Sequence, residues 1–175
     1  KMYILLFIIT ILLSLKTSWT YNNFTYLSYQ NDFRIYYLLW VSCISIFLLY
    51  KVVKIYRQFT YFTKSDWILI TTSFITMLVG SFLPYHPDSE DLFSSLHIIL
   101  SMLGAITILL IIFILINRLM NFDFSLYQKM TSLYRSQLLI LGMLIVMFGN
   151  INSIIELYFT AIVLYNLAKI EKSTT

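Results

Sequence analysis

The chain has 175 residues, of which 59% are apolar, 18% aromatic and only 11% charged, with a mean hydropathy of +0.81. A soluble domain carries roughly 25% charged residues and needs them to cover its surface. A soluble enzyme, a nucleic-acid-binding domain and a disordered chain are thereby excluded, and the composition predicts an all-α polytopic membrane bundle, one integral membrane domain over residues 1–175.

A membrane helix takes about 20 apolar residues, with a range of roughly 17–25. Six spans are predicted in chain order. The first covers about 2–19. It also resembles the basic and apolar parts of a signal peptide, but no small-residue cleavage site follows at Lys16-Thr17-Ser18-Trp19, so a retained anchor is expected. The second covers 35–50 and holds the single cysteine, Cys43, which excludes an intrachain disulfide. The third covers 67–83 and is stopped by Pro84, with Thr72, Thr76 and Gly80 at four-residue spacing as a small-residue packing seam. The fourth covers 92–116 and is the longest clean apolar run. The remaining stretch, 131–167, is too long for one crossing. Gly149-Asn150 has turn chemistry and divides it into 132–148 and 152–168.

The net charge is +4. Basic residues in such a chain report topology, because positive loops stay cytoplasmic. With six spans and both termini cytoplasmic, ten of the twelve Lys and Arg residues fall inside and only Lys16 and Arg34 outside. Five spans would put Lys169 and Lys172 outside. The inner segments 51–66 and 121–134 interleave basic and aromatic residues. Beside membrane spans this pattern predicts segments lying along anionic headgroups.

Charge is scarce enough that an acid inside a span is informative. Glu156 lies about one turn into the last span, where Asn152, Glu156 and Thr160 recur at four-residue spacing and form one polar stripe. An ionised carboxylate in hydrocarbon costs several kcal/mol unless it is paired or hydrated, so this stripe is expected to face the bundle interior. Its expected partner is His97, near the outer start of the fourth span, whose face continues through Ser101 and Ala105. The outer loop supplies His86, Asp88, Glu90 and Asp91, residues able to ligate a divalent cation, but their spacing matches no metal loop. A solvated acidic turn that caps a pocket over His97 and Glu156 is the expectation, with no metal and no cofactor.

The segments Asp91-Leu92-Phe93-Ser94-Ser95-Leu96-His97 and Gly149-Asn150-Ile151-Asn152-Ser153-Ile154-Ile155-Glu156, within a six-span layout, resemble the DRAM/Frag-type membrane proteins and related bacterial families. The resemblance covers the layout of most of the chain but only about twenty residues in motif, and the first outer loop departs from it. It implies topology rather than an activity.

No His-Glu-x-x-His, Gly-x-Ser-x-Gly or P-loop is present, and no catalytic residue is assigned. Three functions stand open. The leading one is a multi-pass protein that binds a membrane lipid or a membrane-protein partner through an outer-leaflet polar pocket of Glu156, His97, Asn152, Thr160 and Ser101. The second is a membrane enzyme or proton-coupled transporter centred on Glu156 and His97. The third is a structural subunit of a larger membrane complex. Nucleic acid is not an expected partner. The Ile-, Tyr-, Phe-, Asn- and Lys-rich usage points to an AT-rich genome, and so to a bacterial plasma membrane or an organellar inner membrane.

Overall fold

The computed structural model of the chain describes residues 1–59, 62–86 and 91–174. All of its regular elements are helical: α1 Met2–Ser14, α2 Tyr26–Tyr29, α3 Asn31–Tyr56, α4 Lys64–Phe82, α5 Leu92–Arg118, α6 Phe124–Phe148 and α7 Ser153–Thr174, with a 3-10 turn at Leu119–Asn121 between α5 and α6. Five of these helices, α3 to α7, are long and apolar enough to cross a membrane, while α1 is a shorter apolar helix. The five correspond to the expected second to sixth spans, extended at their ends. The expected first span ends early, at Ser14 rather than at 19.

Local chemistry explains these boundaries. α4 starts on a capping box, in which the Thr63 hydroxyl accepts from the Asp66 amide and the Asp66 carboxylate accepts from the Thr63 amide. α4 stops at Phe82 because Pro84 drives Leu83 into extended backbone. Asp91 caps α5 by accepting from the Ser94 amide at 2.6 Å, and Asp123 caps α6 by accepting from the Leu126 amide. Gly149 ends α6 in the left-handed region at φ 68°, which a residue without Cβ adopts cheaply. The division between the last two helices therefore falls where Gly149-Asn150 predicts it.

The segment 121–134, expected along headgroups, is helical from Phe124 onward. Residues 124–134 are the first half of α6 and continue into it without a break. Met130 and Tyr134 are buried, and the Tyr134 hydroxyl donates to the Leu109 carbonyl of α5 at 2.7 Å. Lys129, Ser132 and Arg135 occupy the exposed side. Once Asp123 has capped the helix, the apolar spacing of Leu126, Tyr127, Met130 and Tyr134 is satisfied by packing on α5 instead of on headgroups. The first inner segment is likewise mostly helical, since α3 runs on to Tyr56 and α4 begins at Lys64.

α7 is the central helix and packs against α1, α3, α5 and α6. Its apolar residues Ile155, Ile162, Val163, Leu164, Leu167 and Ile170 are buried, most of them toward the Glu171 end. There they meet Leu48, Val52 and Ile55 of α3, Ile108 to Ile116 of α5 and Leu119 of the 3-10 turn. The core is therefore densest at the Glu171 end and thins toward the Glu156 end.

α4 and α5 form the tightest pair. Ser73, Gly80 and Ser81 are buried, and the backbone of Gly104 lies against Met77. The contact face is thus Ser73, Met77 and Gly80. The expected seam of Thr72, Thr76 and Gly80 is correct only at Gly80. Thr72 is exposed, and the Thr76 hydroxyl returns to the carbonyls of its own helix. Equal spacing along a helix leaves its absolute rotation open, and the glycine of the partner helix decides it.

α6 is held to α7 by a polar contact within the bundle, where the Asn166 amide donates to Gln137 Oε1 at 2.7 Å. Sequence reasoning passed over this pair. Replacing Asn166 with leucine should lower stability by about 1 kcal/mol, the usual scale for such bonds between membrane helices. Chemical unfolding in mixed micelles would check this. No loss on substitution would mean that Gln137 finds another partner.

Candidate functional site

The Glu156 end of the bundle contains a cleft of about 350 Å³. Its roof is the loop from Ser14 to Tyr26, which the sequence left without a role. Hydrogen bonds fasten this loop to the start of α7. The Ser153 amide donates to the Asn22 carbonyl at 2.9 Å, and Asn152 Nδ2 donates to the Thr20 carbonyl at 3.3 Å. The Thr17 and Ser153 hydroxyls share a bond of 2.6 Å. Two further contacts close this end, one of them to an unsatisfied amide that opens α7. Asn152 Oδ1 accepts from Ile155, while Glu156 Oε2 reaches back to accept from the Phe24 amide of the loop.

Four of the five expected pocket residues line this one cleft: Glu156, His97, Thr160 and Ser101. Asn152 is fully buried at the helix start and serves as a cap and loop anchor. Glu156 and His97 share the cavity but do not hydrogen-bond to each other. His97 Nε2 lies 3.3 Å from the Thr25 hydroxyl, and its Nδ1 faces the backbone end of α4 without a well-formed bond. Thr25, on the loop, takes the place expected for the acid. The Ser101 hydroxyl is buried without a partner, and the helix face His97, Ser101, Ala105 lines the cleft as its spacing predicts.

The expected outer-loop ligands separate. Asp88 and Glu90 lie outside the described residues. Asp91 is committed to capping α5. His86 is exposed, its amide donating to the Ser94 hydroxyl and its ring edge-on to Tyr29 at 5.8 Å. It lines a separate outer pocket with Arg34. Among the described residues no three His, Cys, Asp or Glu side chains gather as a metal site. Among the described residues of this loop, Tyr85 reaches the cleft, stacking on His97 with ring centres 5.2 Å apart.

The cleft is polar at one end and apolar along the rest. Asn23, Thr25, Tyr37, Ser81, His97, Ser101 and Glu156 surround its mouth, whereas Ile44, Leu48, Leu109, Leu141, Val163 and Leu164 form its deeper wall. From His97 to Leu109 the wall runs about 18 Å along α5 at about 1.5 Å per residue. Ile98, Met102 and Ile106 of α5, with Ile145 of α6, line the cleft and are also 41–54% exposed. The cleft therefore opens sideways between α5 and α6, where α6, the least-buried long helix, packs loosely. Phe24, Tyr37 and Trp40 form an aromatic wall beside Glu156, with the Phe24 and Trp40 rings edge-to-face at 5.3 Å.

Sequence reasoning also missed the charged contacts at the opposite end. Glu171 accepts from Lys51 and Lys54 at 2.8 Å and from the Tyr3 hydroxyl at 2.9 Å, joining α1, α3 and α7. Arg118 pairs with Asp66 at 2.7 Å and lies over the Tyr56 ring. Both acids lie near helix ends among basic residues, which is the signal that identifies them.

These observations define an all-helical protein with five membrane-competent helices and an amphipathic cleft open to one side. No protein-family model, curated protein or solved structure matches the chain.

Proposed function

We propose that the chain is an integral membrane protein of six crossings that holds a lipid-like amphiphile in this cleft, with its polar head at Glu156 and its chain against the deeper wall. The observation that carries the reading is the polarity gradient within one laterally open cavity. Ligand sites fall in the range of about 300–1,000 Å³ and pair apolar walls with a few convergent polar groups. A protein that bound only aqueous solutes would have no use for an apolar rim facing lipid.

The six-crossing topology rests on α1. Its first turn is tied to Glu171 through Tyr3, and the turn after it is tied to Ser153 through Thr17. α1 and the residues just beyond it thus run the length of α7 in the opposite direction. With both termini cytoplasmic, the Glu171 end gathers Lys51, Lys54, Lys64, Arg118 and Lys172, as the positive-inside rule requires. The cleft then opens to the outer leaflet. The six-span layout shared with DRAM/Frag-type proteins accords with this topology, and a bacterial plasma membrane is the setting we favour from residue usage.

The test is to fill the cleft. Ala105 lines it, and phenylalanine there would occupy the chain channel without touching the Gly104–Met77 contact. Native mass spectrometry from dodecyl maltoside micelles should show a retained amphiphile on the wild type. The adduct should be largely lost in Ala105→Phe at an unchanged thermal midpoint. Equal adducts in the two proteins would overturn the reading. A proton-coupled transporter or enzyme is the second reading, favoured by the presence of Glu156 and His97 in one cavity. It requires pH-dependent turnover that Glu156→Gln abolishes while amphiphile retention persists.

A further inference from the structure

The head-group chemistry of the ligand is open to inference, given the reading of the cleft as an amphiphile site. We infer that the cleft selects a single-chain amphiphile with an ammonium head over neutral or anionic amphiphiles of the same chain. Among the described residues that line it, Glu156 is the single acidic side chain and no lysine or arginine is present. None of the ion pairs among the described residues involves Glu156. Its Oε2 accepts from the Phe24 amide, and the residue lines the cavity. Burying an ionised carboxylate without a counter-ion is costly, and a ligand cation would offset that cost.

The surroundings fit an ammonium group specifically. It offers several N–H donors and no acceptor. The Glu156 carboxylate lines the cleft and supplies the acceptor for such donors. The aromatic wall of Phe24, Tyr37 and Trp40 adds the negative ring faces that bind such cations elsewhere. The Trp40 ring is pinned from behind by its Nε1–H, which donates to the Thr10 hydroxyl at 3.0 Å. An anionic head would meet Glu156 with no cation to offset it. At about 350 Å³ the cleft lies at the small end of the usual range of about 300–1,000 Å³ for ligand sites, which suits one chain rather than two.

The test titrates the full chain in dodecyl maltoside micelles with dodecylamine, dodecanol and dodecanoate at matched mole fractions. Binding is followed by tryptophan fluorescence, in which Trp40 reports on the cleft, and a signal is assigned to the cleft when Ala105→Phe removes it. Dodecylamine should bind at least tenfold more tightly than dodecanol, with dodecanoate weakest. Glu156→Gln keeps an oxygen for the Phe24 amide, so it should reduce dodecylamine to the level of dodecanol and leave dodecanol within about threefold. Glu156→Asp should retain the preference for the amine. If Glu156→Gln does not fold, the wild-type ranking decides. Equal binding of amine and alcohol, or a preference that survives in Glu156→Gln, overturns the inference and leaves the cleft reading standing. If no probe gives an Ala105-sensitive signal, both fall.

Discussion

Leucine at position 104 should force α4 and α5 apart and give the largest loss of stability of any single core change. A Cβ built on Gly104 would lie 2.8 Å from Met77 Cβ, 2.9 Å from its Cα and 3.0 Å from its amide nitrogen. Two of these three atoms are backbone, so no rotamer change relieves the clash and the helices themselves must separate. Gly80 repeats the arrangement one step along, its missing Cβ facing the Ser101 amide and hydroxyl at 2.8 Å. Such small-residue contacts hold membrane helices together because apolar side chains gain little by leaving lipid for protein, so close backbone approach supplies the attraction. Overpacking of a tight contact costs typically 1–3 kcal/mol, and here about 3 kcal/mol or more is expected. Gly142 is the matched control, with nothing within 4 Å of its Cβ position. Gly142→Ala should be neutral or stabilising by up to about 1 kcal/mol, because glycine is a poor helix former. Thermal and denaturant midpoints in one micelle preparation would compare the two. A smaller loss at Gly104 than at Gly142 would show that the pair does not pack as described.

Glu171→Ala should release α1 from the bundle. The carboxylate is mostly buried, with 13% of its side-chain surface exposed, and it is the shared acceptor for Lys51, Lys54 and the Tyr3 hydroxyl. Removing it leaves Lys51 packed among the rings of Tyr3, Phe47 and Tyr50 with its acid partner gone. Breaking one side of a buried ion pair typically costs 3–5 kcal/mol. Lys51 keeps 16% exposure and reaches water more easily, so roughly 3 kcal/mol is expected here. Glu171→Gln, which keeps one acceptor oxygen, should lose less. Lys54→Ala should lose much less, since Lys54 is the more exposed cation. Hydrogen exchange should rise first across Met2–Ser14, because α1 keeps few other side-chain ties, chiefly Thr10 to Trp40 and Thr17 to Ser153. Unchanged protection of α1 in Glu171→Ala would show that those ties suffice.

Much of the helix plan was legible in the residues. Apolar runs near twenty residues, Pro84 after α4, and Gly149-Asn150 between α6 and α7 act locally, so a one-dimensional pattern is enough to place them. The scarcity of charge isolated Glu156. The four-residue spacing of His97, Ser101 and Ala105 put three cleft residues on one face before any packing was considered. The spacing of Thr72, Thr76 and Gly80 was right in kind and wrong in rotation, since only the partner backbone at Gly104 selects the contact face. Helix 124–134 was read as a surface segment because its alternation of polar and aromatic residues suits headgroups and a helix partner equally well. The missed capping box at Thr63 and Asp66 carries a signature that could have been read.

The sequence by itself determined the helical class, the places of the five long apolar helices and the one acid near the start of α7, because bilayer thickness and charge cost act on single segments. Only the tertiary structure decided what faces that acid. The loop from Ser14 to Tyr26 folds over the start of α7 because the open amides and capping groups there need partners, and it offers Trp19, Thr20 and Asn22 as acceptors and Phe24 as donor. That folding puts Phe24 and Thr25, more than 130 and 70 residues away in the chain, against Glu156 and His97. The loosely packed C-terminal half of α6 then leaves the cleft open on that side. Contacts at such separation depend on how several helices settle together, and no local pattern encodes them.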